Sequence, residues 1–213
     1  GQPRPHAPSV VGGGALTYDD NGNLLTGRGR VLAWDANNLV AQVTAGGTTT
    51  AFTYDGFGER GKKVSGSATS LYPLGDDYEI TGGVATKYIS IEGMGVVAKK
   101  VTGGSSPGTY WVHTDRLGSI DAVTDTLGAI VFQRIYRPYG ETLAQGGSHT
   151  ESRGWIDQRN DSETGLTYLH ARYFDPQLGT FLSPDPMDPA LPGVGLNRYS
   201  YGLGNPVSYS DRS

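Results

Sequence analysis

Leu16-Thr17-Tyr18-Asp19-Asp20-Asn21-Gly22-Asn23-Leu24-Leu25 reads as a strand, a tight turn and the start of a second strand. The unit recurs as Leu32-Ala33-Trp34-Asp35-Ala36-Asn37-Asn38-Leu39-Val40 and again as Phe52-Thr53-Tyr54-Asp55-Gly56-Phe57-Gly58-Glu59-Arg60. Its aromatic–Asp pairs lie 16 and then 20 residues apart. That is the short period of an array whose units bury a face only against their neighbours. In each unit the ring packs on a sheet face, and the Asp side chain bonds turn amides. Gly22 and Gly58 suit a positive φ, and Asn38 tolerates one. Thr48–Thr53 and Lys87–Ile91 are alternating or β-branched, as strands are.

The pattern continues along the chain. His113–Ile120 is a further strand, turn and strand, and Asp121–Phe132 is the next hairpin. Arg134–Glu141 closes that unit, with Pro138 breaking any helix. No stretch has a sustained helical period with caps, although a short helical turn near Leu143 or Gln158 is compatible with the sequence. The expected fold is all-β. Residues 1–14 are Pro- and Gly-rich and read as an extended arm, 15–144 as the repeat sheet, and 145–213 as a separate C-terminal unit. The polar, Gly-rich Gln145–Ser152 marks the boundary. The end strands of such an array are open edges, so the chain must be capped, close on itself or associate with copies of itself.

Composition narrows the function classes. Of 213 residues 33 are Gly, about twice the usual ~7% share. Charged residues make up 18%, and the net charge of −4 argues against a nucleic-acid binder, which would show a basic face. Cysteine is absent, so neither disulfides nor thiol chemistry operate. That fits a secreted or cell-surface protein stabilised by sheet pairing. No run approaches the ~18 apolar residues of a membrane span, so membrane insertion is not expected. The N-terminal stretch lacks an apolar signal region and reads as a mature end, a processed end or a fragment boundary. Asn160-Asp161-Ser162 is a glycosylation sequon, relevant only in a eukaryotic secretory setting. His113, His149 and His170 lack ligand spacing, and the glycines at 12–14 and 103–104 precede no helix. Neither a metal nor another cofactor is expected. The 13 Tyr lie mostly at strand positions beside Asp or Gly and read as sheet packing rather than a sugar-binding surface.

Chemistry concentrates in Gly165–Pro186, GLTYLHARYFDPQLGTFLSPDP. Arg172, Asp175 and Asp185 sit there among aromatic and apolar residues. A buried Arg needs a carboxylate, so Arg172 is expected to pair with Asp175 or Asp185. Asp185 and Asp211 also suit turn capping.

The Tyr-Asp hairpins resemble the YD repeats of the Rhs family. HTDRLGSIDAVTD followed by YRPYGE, then ETGLTYLHARYFDPQLGTFLSPDP and NRYSYGLGNPVSYSD, resemble the approach to the Rhs repeat-associated core and the core itself. The family includes polymorphic toxins, Tc toxin C components, wall-associated bacterial toxins and teneurin shells. The resemblance implies a spiralling β-sheet that forms a hollow shell, with the core turned inward as a plug. It also implies a C-terminal toxin cargo in bacterial members. A self-cleavage reaction is attributed to aspartates of two Asp-Pro-x-Gly motifs aided by an upstream Arg. Matched position by position, these are Arg172, Asp185 and Asp211. Here the first motif reads Asp185-Pro186-Met187-Asp188, with Asp in place of Gly, and the second reads Asp211-Arg212-Ser213. In an aspartyl pair one carboxylate activates water while the other donates a proton.

Two functional expectations follow. One is a shell and core segment that encloses and delivers a cargo, with single-turnover self-cleavage in a longer chain. Its partners are other parts of the same shell and that cargo. The other is a self-assembling filament or surface layer in which copies exchange strands, the N-terminal arm adding to a neighbour's sheet. No open constellation for turnover of an external substrate is visible.

Overall fold

The computed structural model describes residues 6–187 and 196–209. Strands β1 (Val10–Val11) and β2 (Gly14–Ala15) form a short hairpin within the stretch that composition reads as an extended arm. Gly12 and Gly13, at φ 58° and 81°, give the two consecutive positive-φ positions that such a tight turn requires.

Fourteen strands of the described residues then form one antiparallel meander. They are β3 (Thr17–Tyr18), β4 (Leu24–Gly27), β5 (Arg30–Trp34), β6 (Val40–Ala45), β7 (Thr48–Tyr54), β8 (Arg60–Ser65), β9 (Ala68–Leu71), β10 (Tyr78–Thr81), β11 (Val84–Ile91), β12 (Gly95–Thr102), β13 (Gly108–Thr114), β14 (Ile120–Thr124), β15 (Ile130–Tyr136) and β16 (Thr142–Gly147). Each pairs with its neighbours in sequence, without a crossover. A second antiparallel sheet holds β17 (Arg159–Asp161), β18 (Leu166–Leu169), β19 (Arg172–Asp175) and β20 (Thr180–Phe181). Helix among the described residues is limited to three-residue 3-10 turns at Gly75–Asp77, Trp155–Asp157 and Gly202–Gly204. One of these adjoins Gln158, whereas Leu143 lies in β16.

The repeated turn has one chemistry. Oδ1 of Asp35, Asp55, Asp115 and Asp125 accepts the backbone N–H groups two and four residues ahead, at 2.8–3.0 Å. Asp19 accepts that of Asn23 at 2.8 Å. The third residue after the Asp takes positive φ: Gly22, Gly58, Gly118 and Gly128, and Asn38 at 60°. The aromatic residue before the turn fastens units together. Trp34 Nε1 donates to the Leu24 carbonyl at 2.8 Å, Tyr54 to that of Val40 at 2.7 Å and Tyr136 to that of Ile120 at 2.8 Å. Each acceptor is the fifth residue after a turn Asp.

The second sheet is buried on both faces, with every residue of β18 and β19 inaccessible. Leu166, Tyr168 and Tyr173 pack on Leu24, Leu32, Val40, Val43 and Phe52 of the long sheet. Leu169 and Phe174 face the other way, onto Trp155, Phe181 and Tyr201. The long sheet also turns cations inward at strand positions that alternate with apolar ones, as in Arg30-x-Leu32 and Phe132-x-Arg134. These meet the second unit in reverse chain order. Arg30 pairs with Asp175 at 2.5 Å, Arg60 with Asp161 at 2.5 Å and Lys99 with Glu151 at 2.7 Å. Arg134 donates to the carbonyls of Glu151 and Arg153.

Arg60 is the most enclosed of these groups. Its guanidinium carbon lies 4.4 Å from the centre of the Tyr168 ring and 4.9 Å from that of Tyr72, with Phe52 at 5.5 Å. Burial alone would raise the Asp161 pKa, but the charges of Arg60 and Lys63 hold it below the usual carboxylate range. Removing one partner of such a pair strands the other charge. Arg60→Ala is therefore expected to lower the unfolding free energy by about 3–5 kcal/mol, read from urea denaturation. A loss under about 1 kcal/mol would mean that the pair contributes no more than a surface one.

Candidate functional site

The site grows from the turn between β18 and β19. His170 takes φ 51° there, and Arg172 leads the chain back into the buried sheet. The Arg172 guanidinium carbon sits 3.6 Å from the centre of the Phe181 ring, so β20 supplies an aromatic floor that fixes its plane. From that platform Arg172 Nη2 reaches Asp185 Oδ2 at 3.0 Å, and Nη1 donates to the Arg198 carbonyl at 3.4 Å. Of the two carboxylates in the sequence stretch, Asp185 is thus the partner of Arg172. Asp175 turns away to Arg30.

Asp185 is held on every side. Its N–H donates to the Arg198 carbonyl at 2.8 Å, and its own carbonyl accepts from Arg198 Nε at 2.7 Å and from Nη2 of the same side chain. Oδ1 accepts the Met187 N–H at 2.9 Å, the Asx-type cap expected before a proline turn. The Arg172 side chain is 5% exposed and that of Asp185 19%. Arg172 lines a cleft of about 300 Å³ together with Asn21, Asn38, Pro184, Pro186 and Arg198, among others, and Asp185 lies between the two prolines of that wall. Each carboxylate oxygen keeps acceptor capacity beyond the bond it already makes. An Arg-oriented carboxylate at the rim of a cleft can take a proton from water or stabilise a nearby positive charge. Asp211, the third residue carried over by resemblance, lies outside the described residues.

The comparisons with known proteins agree with this architecture. The RHS repeat pattern matches residues 34–68, and the teneurin YD-shell pattern matches 104–201. The chain is 31% identical to the tRNA nuclease WapA of Bacillus subtilis (strain 168), across 92% of its own length and 9% of WapA. It is 28% identical to the toxin subunit YenC2 of Yersinia entomophaga, across 81% of its length and 20% of YenC2. The chain belongs to the Rhs/YD-repeat family. The crystal structure of TcdB2-TccC3 shares its fold, with a TM-score of 0.78 at 21% identity, covering 92% of this chain and 11% of that one. The chain thus spans about a tenth of WapA and of the matched TcdB2-TccC3 chain, and a fifth of YenC2.

Within this Rhs-family chain, sequence reasoning missed Arg198, which fixes Asp185 from both ends. It also missed the sheet cations that grip the inner unit. The cations were detectable in principle, because an Arg at an inward strand position between apolar residues has to be paired. Arg198 carried no such signal, since it lies in a turn and grips the Asp185 main chain rather than its carboxylate.

His170 locks the site's hairpin to the long sheet. Its Nδ1 lies 2.9 Å from Glu59 Oε2, in one repeat turn, and its Nε2 lies 3.2 Å from Asp76 Oδ2. The bond to Asp76, opposed by burial and helped by Glu59, raises its pKa to about 9. For Asp76, burial works upward, but the bond to His170 and the Arg159 and Arg153 charges outweigh it and hold the group low. The raised His170 pKa stabilises the folded chain fully below its ordinary value of 6.5, and this contribution disappears as pH rises through about 9. His170→Ala is accordingly expected to melt earlier than the unmodified chain at about pH 6 and to match it at about pH 10. Equal melting at both values would show that the bridge is not formed.

Proposed function

We propose that this chain is the closing portion of a β-shell that encloses and delivers a C-terminal cargo outside the cell. We further propose that Arg172 and Asp185 serve a single-turnover cleavage of the protein's own chain. One observation carries the second part. The buried Arg172 lines the cleft beside the inner hairpin and holds the partly exposed Asp185 next to it. In this reading Asp185 is one member of an aspartyl pair, Asp211 the other, and Arg172 orients Asp185 and offsets developing negative charge. The two shell-family matches and the toxin-subunit relative support the delivery role.

In a chain that continues past Ser213, cleavage would give two bands on a denaturing gel, and Asp185→Asn is expected to leave one. Two bands from Asp185→Asn would remove Asp185 from the reaction.

The sheet edges favour a second reading. β16 ends the long sheet with mostly exposed side chains, so copies could associate edge to edge in a filament or surface layer. Light scattering decides this: a monomer that persists at high concentration overturns it.

A further inference from the structure

We propose that the cleft beside Arg172 and Asp185 binds extended polypeptide main chain, read by the side-chain amides of Asn21 and Asn38. The argument starts at the repeat turns. Where the other turns place Gly22, Gly58, Gly118 and Gly128 at the positive-φ position, the second turn places Asn38 at φ 60°. A side chain is kept there although glycine adopts that conformation more readily. The tips differ too. The third residue of the other turns is apolar at Phe57, Leu117 and Leu127, whereas the turns facing Arg172 carry Asn21 and Asn37.

The orientation of these amides is fixed by their neighbours. Asn23 is buried, and its Nδ2 donates both to Asp19 Oδ2 at 2.9 Å and to Asn38 Oδ1 at 2.9 Å. Asn21 Nδ2 donates to the same Asn38 oxygen at 2.8 Å. Asn38 Oδ1 therefore faces its neighbours, which leaves its amide N–H groups for the cleft. Asn21 keeps its Oδ1. Neither the Asn38 Nδ2 nor the Asn21 Oδ1 has a protein partner among the described residues. A donor and an acceptor side by side match the C=O and N–H of one peptide unit. Arg198 adds donors at the same rim, because its Nη1 makes no hydrogen bond among the described residues while Nε and Nη2 hold the Asp185 carbonyl. A segment bound here would lie alongside Asp185. The proposal rests on the self-cleavage reading only for which peptide occupies the cleft in the working protein.

The test titrates the ¹⁵N-labelled chain with acetyl-tetra-alanine amide and follows the side-chain amide signals of Asn21 and Asn38. A saturable shift at millimolar peptide is expected. Asn38→Gly places at this turn the residue used by the others but takes the acceptor from the buried Asn23 amide, so it should stay folded, melt somewhat earlier than the unmodified chain and bind about fivefold more weakly or worse. Cleavage that persists in an extended Asp185→Asn chain would remove Asp185 from the reaction and leave the titration result standing. The absence of a saturable shift overturns the proposal. So does wild-type affinity in Asn38→Gly, or displacement by sodium acetate without a response to the peptide.

Discussion

The architecture depends on inward cations of the long sheet meeting acids of the inner unit. Arg30, Arg60 and Lys99 are all shielded from water, as are Asp175, Asp161 and Glu151. A charge in that setting is tolerable only with its partner in place. For Glu151, burial pushes the pKa up, but the Lys99 charge and the hydrogen bonds from Lys99 and Tyr88 bring it below the usual range. The face of the sheet that carries these cations therefore cannot be covered by an apolar filler alone. It closes over one segment in one register, because partners run from Asp175 back to Glu151 as the sheet runs from Arg30 to Lys99. Arg159 adds a rung from the inner unit, pairing with Asp76 at 3.1 Å and Glu79 at 2.5 Å. Hydrophobic contact alone would leave that register loosely defined, whereas each misplaced rung would strand two charges.

The repeat units show how one turn chemistry carries different tasks. The Asp cap and the positive-φ residue recur because they close the hairpin. The residue at the tip is free of that duty, so it varies with what lies opposite. Leu117 and Tyr139 pack against the cluster around Trp155 and Phe174. Phe57 and Leu127 have nothing over them, at 96% and 91% exposure. Asn21 and Asn37 stand beside the cleft that Arg172 lines. The chemistry at each tip thus follows from the surface it faces.

This division explains what the sequence disclosed. The Tyr-Asp hairpins were legible because aromatic, Asp and Gly each have a local reason to sit where they do. The pairing of Arg172 with one of two nearby acids was also legible, since burial demands it. Which acid was not, because Asp175 is claimed by Arg30 from 145 residues away. Arg60 with Asp161 and Arg198 with Asp185 were hidden for related reasons: their partners are set by how the inner unit threads the sheet, not by local spacing. The hairpin at 10–15 was obscured by composition, since Gly-Gly serves a tight turn as well as a linker.

Arg172–Asp185 obeys the same electrostatic rule as the structural rungs, so pairing alone does not single it out. Its position does. Asp161, Asp175 and Glu151 have side chains at 0–1% exposure and are closed in by their partners, while Asp185 sits at 19% beside open space. Exposure alone does not set it apart, because Asp76 and Asp157, which pair with Arg159 and Arg153, stand at 21% and 20%. Here the guanidinium is stacked on Phe181 and the Asp185 main chain is clamped by Arg198, so the carboxylate stays in place while one side remains accessible. In the proposed self-cleavage, rigid support beneath an accessible acid is what a reacting group needs, and Arg172 holds that acid at the edge of the cleft lined by Asn21, Asn38 and Arg198.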